Sequence, residues 1–463
     1  MSKSPSPASA RGGLSPSGGP DDVVRSPRPA SSPGPEPGIE LTTLDSGLRV
    51  VTEHMPDARS VTIGFWVGVG SRDESGDQAG ASHFLEHLLF KGTAARSARQ
   101  IAVAVDAVGG EMNAYTTREH TSYYTRLPAS ELDFGLELLA DVISSPAFRP
   151  HEVDAEREVI LEEILMNEDT PDDVVHTRLL QALFPGHGLG AETLGSEESI
   201  TAMDRDAIAE FHHHWYRPAN IVVAAAGNLD HGRVLDRVED CLADQAAGAK
   251  PVRSAPRADL DPLSVVHRTT EQVHVAMAWR GLDAHDLDRY ALMVANQVMG
   301  EGMSSRLFQQ VREERGLAYT VYSSPSSYAD TGAYTVYAGT APARLAELLE
   351  VIDAVIDGIL ADGITVAEHE VALGYLQGAT LLGLEDSGSR MARLGANLTV
   401  RDELISIDDH LSRIRAVSRD DVARVLRRVL AAPSVLSVVG PFHADDDILV
   451  AATDRARSRV AEG

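Results

Sequence analysis

Residues Asn220–Ala226 read NIVVAAA and run into Gly227, and residues Val435–Val439 read VLSVV and run into Gly440. Each is a short apolar run stopped by glycine, as expected of a buried strand. They lie a little over 210 residues apart, and other landmarks recur at that offset. Ser60–Val69 (SVTIGFWVGV) reads as a buried strand, and Val273–Trp279 (VHVAMAW) resembles its Thr62–Val67 portion. The apolar helix Ala81–Phe90 has a counterpart in Asp286–Met299. The strand pair Glu111–Thr117 and Thr121–Leu127 has one in Ala318–Ser324 and Gly332–Ala338. Matched landmarks in one order imply a duplicated unit. The predicted fold class is therefore α+β, with two similar lobes, each a mixed or antiparallel sheet packed with helices.

Ile39–Thr43 and Leu48–Glu53 flank Asp45-Ser46-Gly47 as a hairpin. Ser97 and Gln100 stand at capping-box spacing at the start of a helix over Ser97–Val108. Further helices are expected near 131–145, 150–169 and 172–184, and one ending near Trp215, then at 344–362 and 366–400. Residues 246–262, rich in Ala, Pro and charge without apolar periodicity, read as a linker between a first lobe at 39–245 and a second at 263–463. Residues 1–38 hold nine Ser, nine Pro and six Gly. Such a tail cannot bury enough apolar surface to offset its ordering entropy, so disorder is expected there.

The chain has 463 residues and a formal net charge of −28. That balance argues against a nucleic-acid partner and against an anionic membrane surface, both of which select basic patches. No run of 18 apolar residues is present, so no transmembrane helix is expected. Cys241 is the single cysteine, which excludes an intrachain disulfide and a multi-cysteine metal site and fits a reducing, cytoplasmic compartment.

The sharpest local feature is His83-Phe84-Leu85-Glu86-His87. In a helix, residues i and i+4 share a face, so His83 and His87 can offer two imidazole nitrogens to one cation. Glu86 lies beside them, placed to accept a proton from water. The apolar neighbours Phe84, Leu85, Leu88, Leu89 and Phe90 bury the helix, and buried polar groups need partners. Imidazole suits zinc, whose catalytic sites take three protein ligands. The third is expected from the acidic helix EREVILEE, residues Glu156–Glu163. Glu156 and Glu163 are two turns apart on one face, and Glu158 and Glu162 form another pair. Spacing chooses the helix but not the residue.

HFLEHLLFKGT (His83–Thr93) followed by EREVILEE resembles the inverted-zincin signature of the pitrilysin/insulinase metallopeptidases, most of all the subfamily of the mitochondrial processing peptidase β subunit and bacterial processing peptidases. The similarity spans nearly everything after residue 39. The resemblance implies two lobes enclosing a chamber and one Zn²⁺ per chain, held by His83, His87 and Glu163. It implies Glu86 as general base and Glu156 as a supporting carboxylate. It makes Asn113, Ala114 and Tyr115 part of an edge strand that takes an extended peptide, and Arg312 and Tyr319 residues that reach substrate from the second lobe. The implied activity is endopeptidase cleavage of short or unfolded peptides, with basic ones favoured if the acidity lines the chamber. A homodimer is the expected assembly, with a paralogous partner subunit left open. The competing reading is a catalytically silent partner subunit of the same fold, from which the complete ligand set distinguishes this chain. The consecutive His212-His213-His214 points three ways on a helix, and His187 sits in a Gly-rich loop; both are read as structural. Gly300-Glu301-Gly302 lacks the Lys-Ser/Thr of a phosphate loop.

Overall fold

Two sheets of matching topology organise the chain. The computed structural model describes residues 36–242 and 246–462; the expected tail, up to residue 35, lies outside the described residues. Strands β1 (Ile39–Thr43), β2 (Arg49–His54), β3 (Ser60–Val67), β4 (Glu111–Thr116), β5 (Thr121–Pro128) and β6 (Ile221–Gly227) form one sheet in the order β1-β2-β6-β3-β5-β4. Strands β7 (Leu263–His267), β8 (Val273–Gly281), β9 (Ala318–Ser327), β10 (Gly332–Thr340) and β11 (Ser434–Gly440) form the second in the order β7-β11-β8-β10-β9. Apart from the extra hairpin strand β1, the orders correspond strand for strand. The pairing senses correspond too: β6 is parallel to β2 and antiparallel to β3, as β11 is to β7 and β8.

Strand β3 is apolar on both faces because both are covered. Val61, Ile63, Phe65 and Val67 pack on the helices of their own lobe, including Phe84 and Leu88. Trp66, one residue out of phase, faces the other way onto Met391, Leu394 and Leu398 of the second half of the chain. The second sheet repeats the arrangement. Val275, Met277 and Trp279 face their own helices, whereas Ala276 and Ala278 meet Val175, Leu179 and Leu183 from the helix Pro171–Leu183. Each half therefore lends one helix to the sheet of the other. Burial of such side chains contributes about 1.5–3 kcal/mol each, so the apolar exchange stabilises the join. Gly395 permits it: a Cβ at that position would lie 2.1 Å from Trp66 Nε1.

This exchange corrects one expectation. The stretch 366–400 is not one helix but two, Val366–Gly383 and Ser387–Ala396. Asp386 breaks it by accepting hydrogen bonds from the N–H groups of Gly388 and Ser389, and a capping residue of this kind starts a new helix. The second piece is the one lent to the first sheet. The helix read over Asp286–Met299 is Arg289–Asn296, continued by a π-helical turn at Gln297–Glu301.

Residues 246–262 hold no helix or strand, yet they are anchored. Arg253 donates to Asp73 at 2.8 and 2.9 Å and to the Glu119 carbonyl at 2.6 Å. Nearby, Arg72 donates to Glu119 at 2.5 Å, to the Ser254 carbonyl at 2.9 Å and to Asp330 of the second half at 2.5 Å. The Ala329 N–H reaches both Glu119 carboxylate oxygens, at 3.0 and 3.1 Å. A buried ion-pair cluster thus joins the two halves.

Candidate metal centre

The helix Ala81–Leu89 buries Phe84, Leu85, Leu88 and Leu89, which turns His83, Glu86 and His87 toward the helix Pro150–Asp169. Its first turn is held by Glu74, whose carboxylate accepts from the N–H groups of Gly80 and Ser82 at 2.7 Å each. Burial pushes that carboxyl up to about 7 against the opposing backbone bonds. The signal for this cap was a glutamate seven residues before the helix start, outside the capping-box spacing.

On the facing helix, Val153, Ile160 and Ile164 pack inward, and Glu163 shares their side. His83 Nε2 and His87 Nε2 each lie 3.6 Å from Glu163 Oε2. The three side chains can each offer one ligand atom within 4.8 Å of the others. At 3.6 Å the atoms face one another beyond hydrogen-bond distance. Ligand atoms around a tetrahedral zinc with bonds of about 2.0 Å stand about 3.3 Å apart, so the donor set fits that ion with small adjustment. Burial, then the neighbouring His87, holds His83 down at about 4, so its imidazole is neutral and has a lone pair to give. Glu158 and Glu162 are exposed, whereas Glu163 faces both imidazoles.

Glu156 is buried at 5 % exposure and does a different job. Its Oε2 lies 3.1 Å from His87 Nδ1, and its Oε1 is 2.6 Å from Lys91 Nζ. The carboxylate makes Nδ1 the protonated nitrogen and leaves the Nε2 lone pair toward Glu163. Lys91 was not singled out from the sequence; its signal was its position four residues after His87. Glu86 is half-buried, and burial raises its carboxyl above the ordinary range while Thr116 and His87 pull it back. Thr116 ends β4, an edge strand of the first sheet. Asn113 and Tyr115 on this strand are exposed and Ala114 is buried.

Two matches carry the family assignment. The insulinase (peptidase family M16) profile matches residues 49–197, and the peptidase M16 inactive domain profile matches residues 202–375. An uncharacterized zinc protease of Streptomyces coelicolor is 44 % identical over 417 residues, 87 % of this chain and 90 % of that protein. The chain belongs to peptidase family M16. An uncharacterized zinc protease of Bacillus subtilis is 37 % identical to this M16 chain over 403 residues, 87 % of it and 98 % of the relative. In fold, the M16 chain is similar to a protease from Helicobacter pylori (TM-score 0.80, 24 % identity, 88 % of this chain and 100 % of that one). It is likewise similar to a peptidase M16 inactive domain from Pseudomonas fluorescens (TM-score 0.81, 21 % identity, 88 % and 99 %).

The remaining residues expected at the site of the M16 chain fall in two groups. Asn113, Ala114 and Tyr115 share a strand that ends beside Glu86. Arg312 and Tyr319 meet each other: the guanidinium carbon lies 4.4 Å from the Tyr319 ring centroid, and NH1 donates to the Tyr319 carbonyl at 3.1 Å. Gly316, at φ 56°, makes the turn that brings them together. Among the described residues neither forms a hydrogen bond, ion pair or ring contact with the first lobe, and Tyr319 is 77 % exposed. His212 and His187 bind backbone, at the Ile143 and Ser254 carbonyls. No helix among the described residues is long and apolar enough to cross a membrane.

Proposed function

We propose that the chain is a zinc-dependent endopeptidase of processing-peptidase type, cleaving short or unfolded peptides in a chamber between its lobes. One zinc ion per chain is held by His83, His87 and Glu163. The observation that carries this reading is the convergence of those three donors beside the Glu86 carboxyl and the edge strand β4. When bound, zinc supplies Lewis-acid polarisation of the scissile carbonyl and acidifies water. Glu86 then takes the proton of the attacking water and returns it to the leaving amine. Asn113, Ala114 and Tyr115 hold an extended peptide by main-chain hydrogen bonds along β4. A cavity of about 550 Å³ beside that strand, lined by Phe90, Ile101, Val105 and Met112 and by Asp106 and Glu111, takes a peptide side chain. Arg312 and Tyr319 hold the peptide from the second lobe, which requires the lobes to approach one another. The acidity of the chain favours basic peptides. The working form is a homodimer in the cytoplasm.

The metal is tested by chelation. The purified chain is expected to contain one equivalent of zinc and to hydrolyse an unstructured fluorogenic peptide. Chelation should abolish hydrolysis and one equivalent of zinc should restore it. His83→Ala should contain no zinc. Chelator-insensitive hydrolysis would remove the mechanism, and no hydrolysis by the zinc-loaded chain would favour a silent subunit.

Glu156 gives a graded test. Glu156→Gln should weaken zinc binding about 10–100-fold, the usual effect of losing the carboxylate that orients a ligating histidine. Competition against a chelating dye measures it. An unchanged zinc affinity would show that the bond to His87 does not matter to the metal.

A further inference from the structure

A cavity of about 590 Å³ opens in the second lobe. There the helices Arg289–Asn296 and Val366–Gly383 meet the start of Ser387–Ala396 and the segment 397–407. It shares no residue with the metal centre. Its volume suits a small-molecule ligand. Leu292, Met293, Leu384 and Ile405 make part of the wall apolar. Three arginines stand among the other lining residues, in a chain whose net charge is −28.

Arg289, Arg393 and Arg401 line the cavity, and Glu403 is the one carboxylate among the described lining residues. Three guanidinium charges against one carboxylate leave an excess of two positive charges (3 − 1). Glu403 is also shared, accepting from Arg289 at 2.9 Å and from Arg413 at 3.3 Å. Arg393 donates to the Ile405 carbonyl, and its nearest carboxylate among the described residues is that of Glu36, at 3.8 Å. Arg401 donates to Asn397 Oδ1 at 2.6 Å, and its Nε is buried with no partner among the described residues. Burying a guanidinium without a carboxylate is costly unless something else compensates it. His410, on the same wall, reports the local field: burial, then Arg393, Arg289, Arg401 and Arg413, hold it down at about 4.

We infer that this cavity binds a phosphate monoester with an apolar body, the dianion meeting Arg289, Arg393 and Arg401 and the body lying on Leu292, Met293 and Leu384. A dianion matches the charge excess, and guanidinium forks match its oxygens. Arg393 stands on the helix lent to the first sheet through Met391 and Leu394, and Arg401 follows it in the next turn. The ligand would therefore sit where the second lobe meets the arm that crosses to the first.

The probe is 1-naphthyl phosphate, titrated calorimetrically into the full-length chain at fixed ionic strength, with neutral 1-naphthol as comparison. Saturable binding of the phosphate ester and at least about tenfold weaker binding of naphthol are expected. Arg401→Gln should weaken the ester about tenfold or more, the loss of one charge-assisted contact. Ala379→Phe, at an exposed lining position, should block binding without removing a charge, so the test survives poor folding of the arginine variant. His87→Ala should bind the ester like the unaltered chain. The inference fails if the ester does not bind, if naphthol binds equally well, or if both Arg401→Gln and Ala379→Phe bind normally. Loss of binding in His87→Ala would place the anion at the metal centre and also overturn it.

Discussion

Replacing Glu86 by glutamine is expected to stop turnover and leave the zinc in place. The two side chains have the same shape, and Glu86 is not among the three groups whose donor atoms converge. What the amide loses is the ability to accept a proton. Transfer by a positioned side chain is worth about 10²–10⁴-fold, and kcat should fall by that amount with little change in KM. Burial holds the Glu86 carboxyl above the ordinary range, which suits a group that must first take and then return a proton. Metal analysis of Glu86→Gln should still give one zinc per chain. Normal turnover would reject Glu86 as the base; loss of zinc would make it a ligand and rewrite the site.

How far the site was legible in sequence depended on whether its geometry was local. His83, Glu86 and His87 lie within five residues of one helix, and the helical period alone puts them on a common face. Spacing alone could not choose Glu163, because a helix with several carboxylates says nothing about which one faces a neighbour; only the family resemblance pointed to it. The pairing of Glu156 with His87 and Lys91 was hidden for the same reason. In the fold, strand runs and their repeat were readable because both faces of β3 and β8 are buried, and continuous apolar runs stand out. The break after Gly383 was marked by Asp386-Ser387, a helix-start signal inside an apolar periodic stretch. The exchange of helices between sheets has no local signature: it rests on an out-of-phase Trp66 and a glycine at 395 that meet only in three dimensions.

The segment Thr117-Arg118-Glu119-His120 shows the same limit, and it carries the largest stability effect. As sequence it is a charged stretch suited to a surface turn. In the structure the Glu119 side chain is 4 % exposed and the Arg72 side chain 2 %. Glu119→Ala would leave Arg72 with the Ser254 carbonyl and Asp330, and would strip the Ala329 N–H of both its acceptors. Removing one member of a buried ion pair costs about 3–5 kcal/mol, because the remaining charge stays desolvated. Denaturant unfolding of Glu119→Ala should show a loss of that size. The pair itself contributes less, since its attraction is largely offset by desolvation of both partners. Arg72→Met combined with Glu119→Met should therefore be markedly more stable than Glu119→Ala alone. Asp330, left without Arg72, remains 24 % exposed and can be solvated. If the double variant were as unstable as the single one, the cluster would be a source of net binding energy between the halves rather than a device that fixes how they meet. If Glu119→Ala cost nothing, the cluster would hold neither.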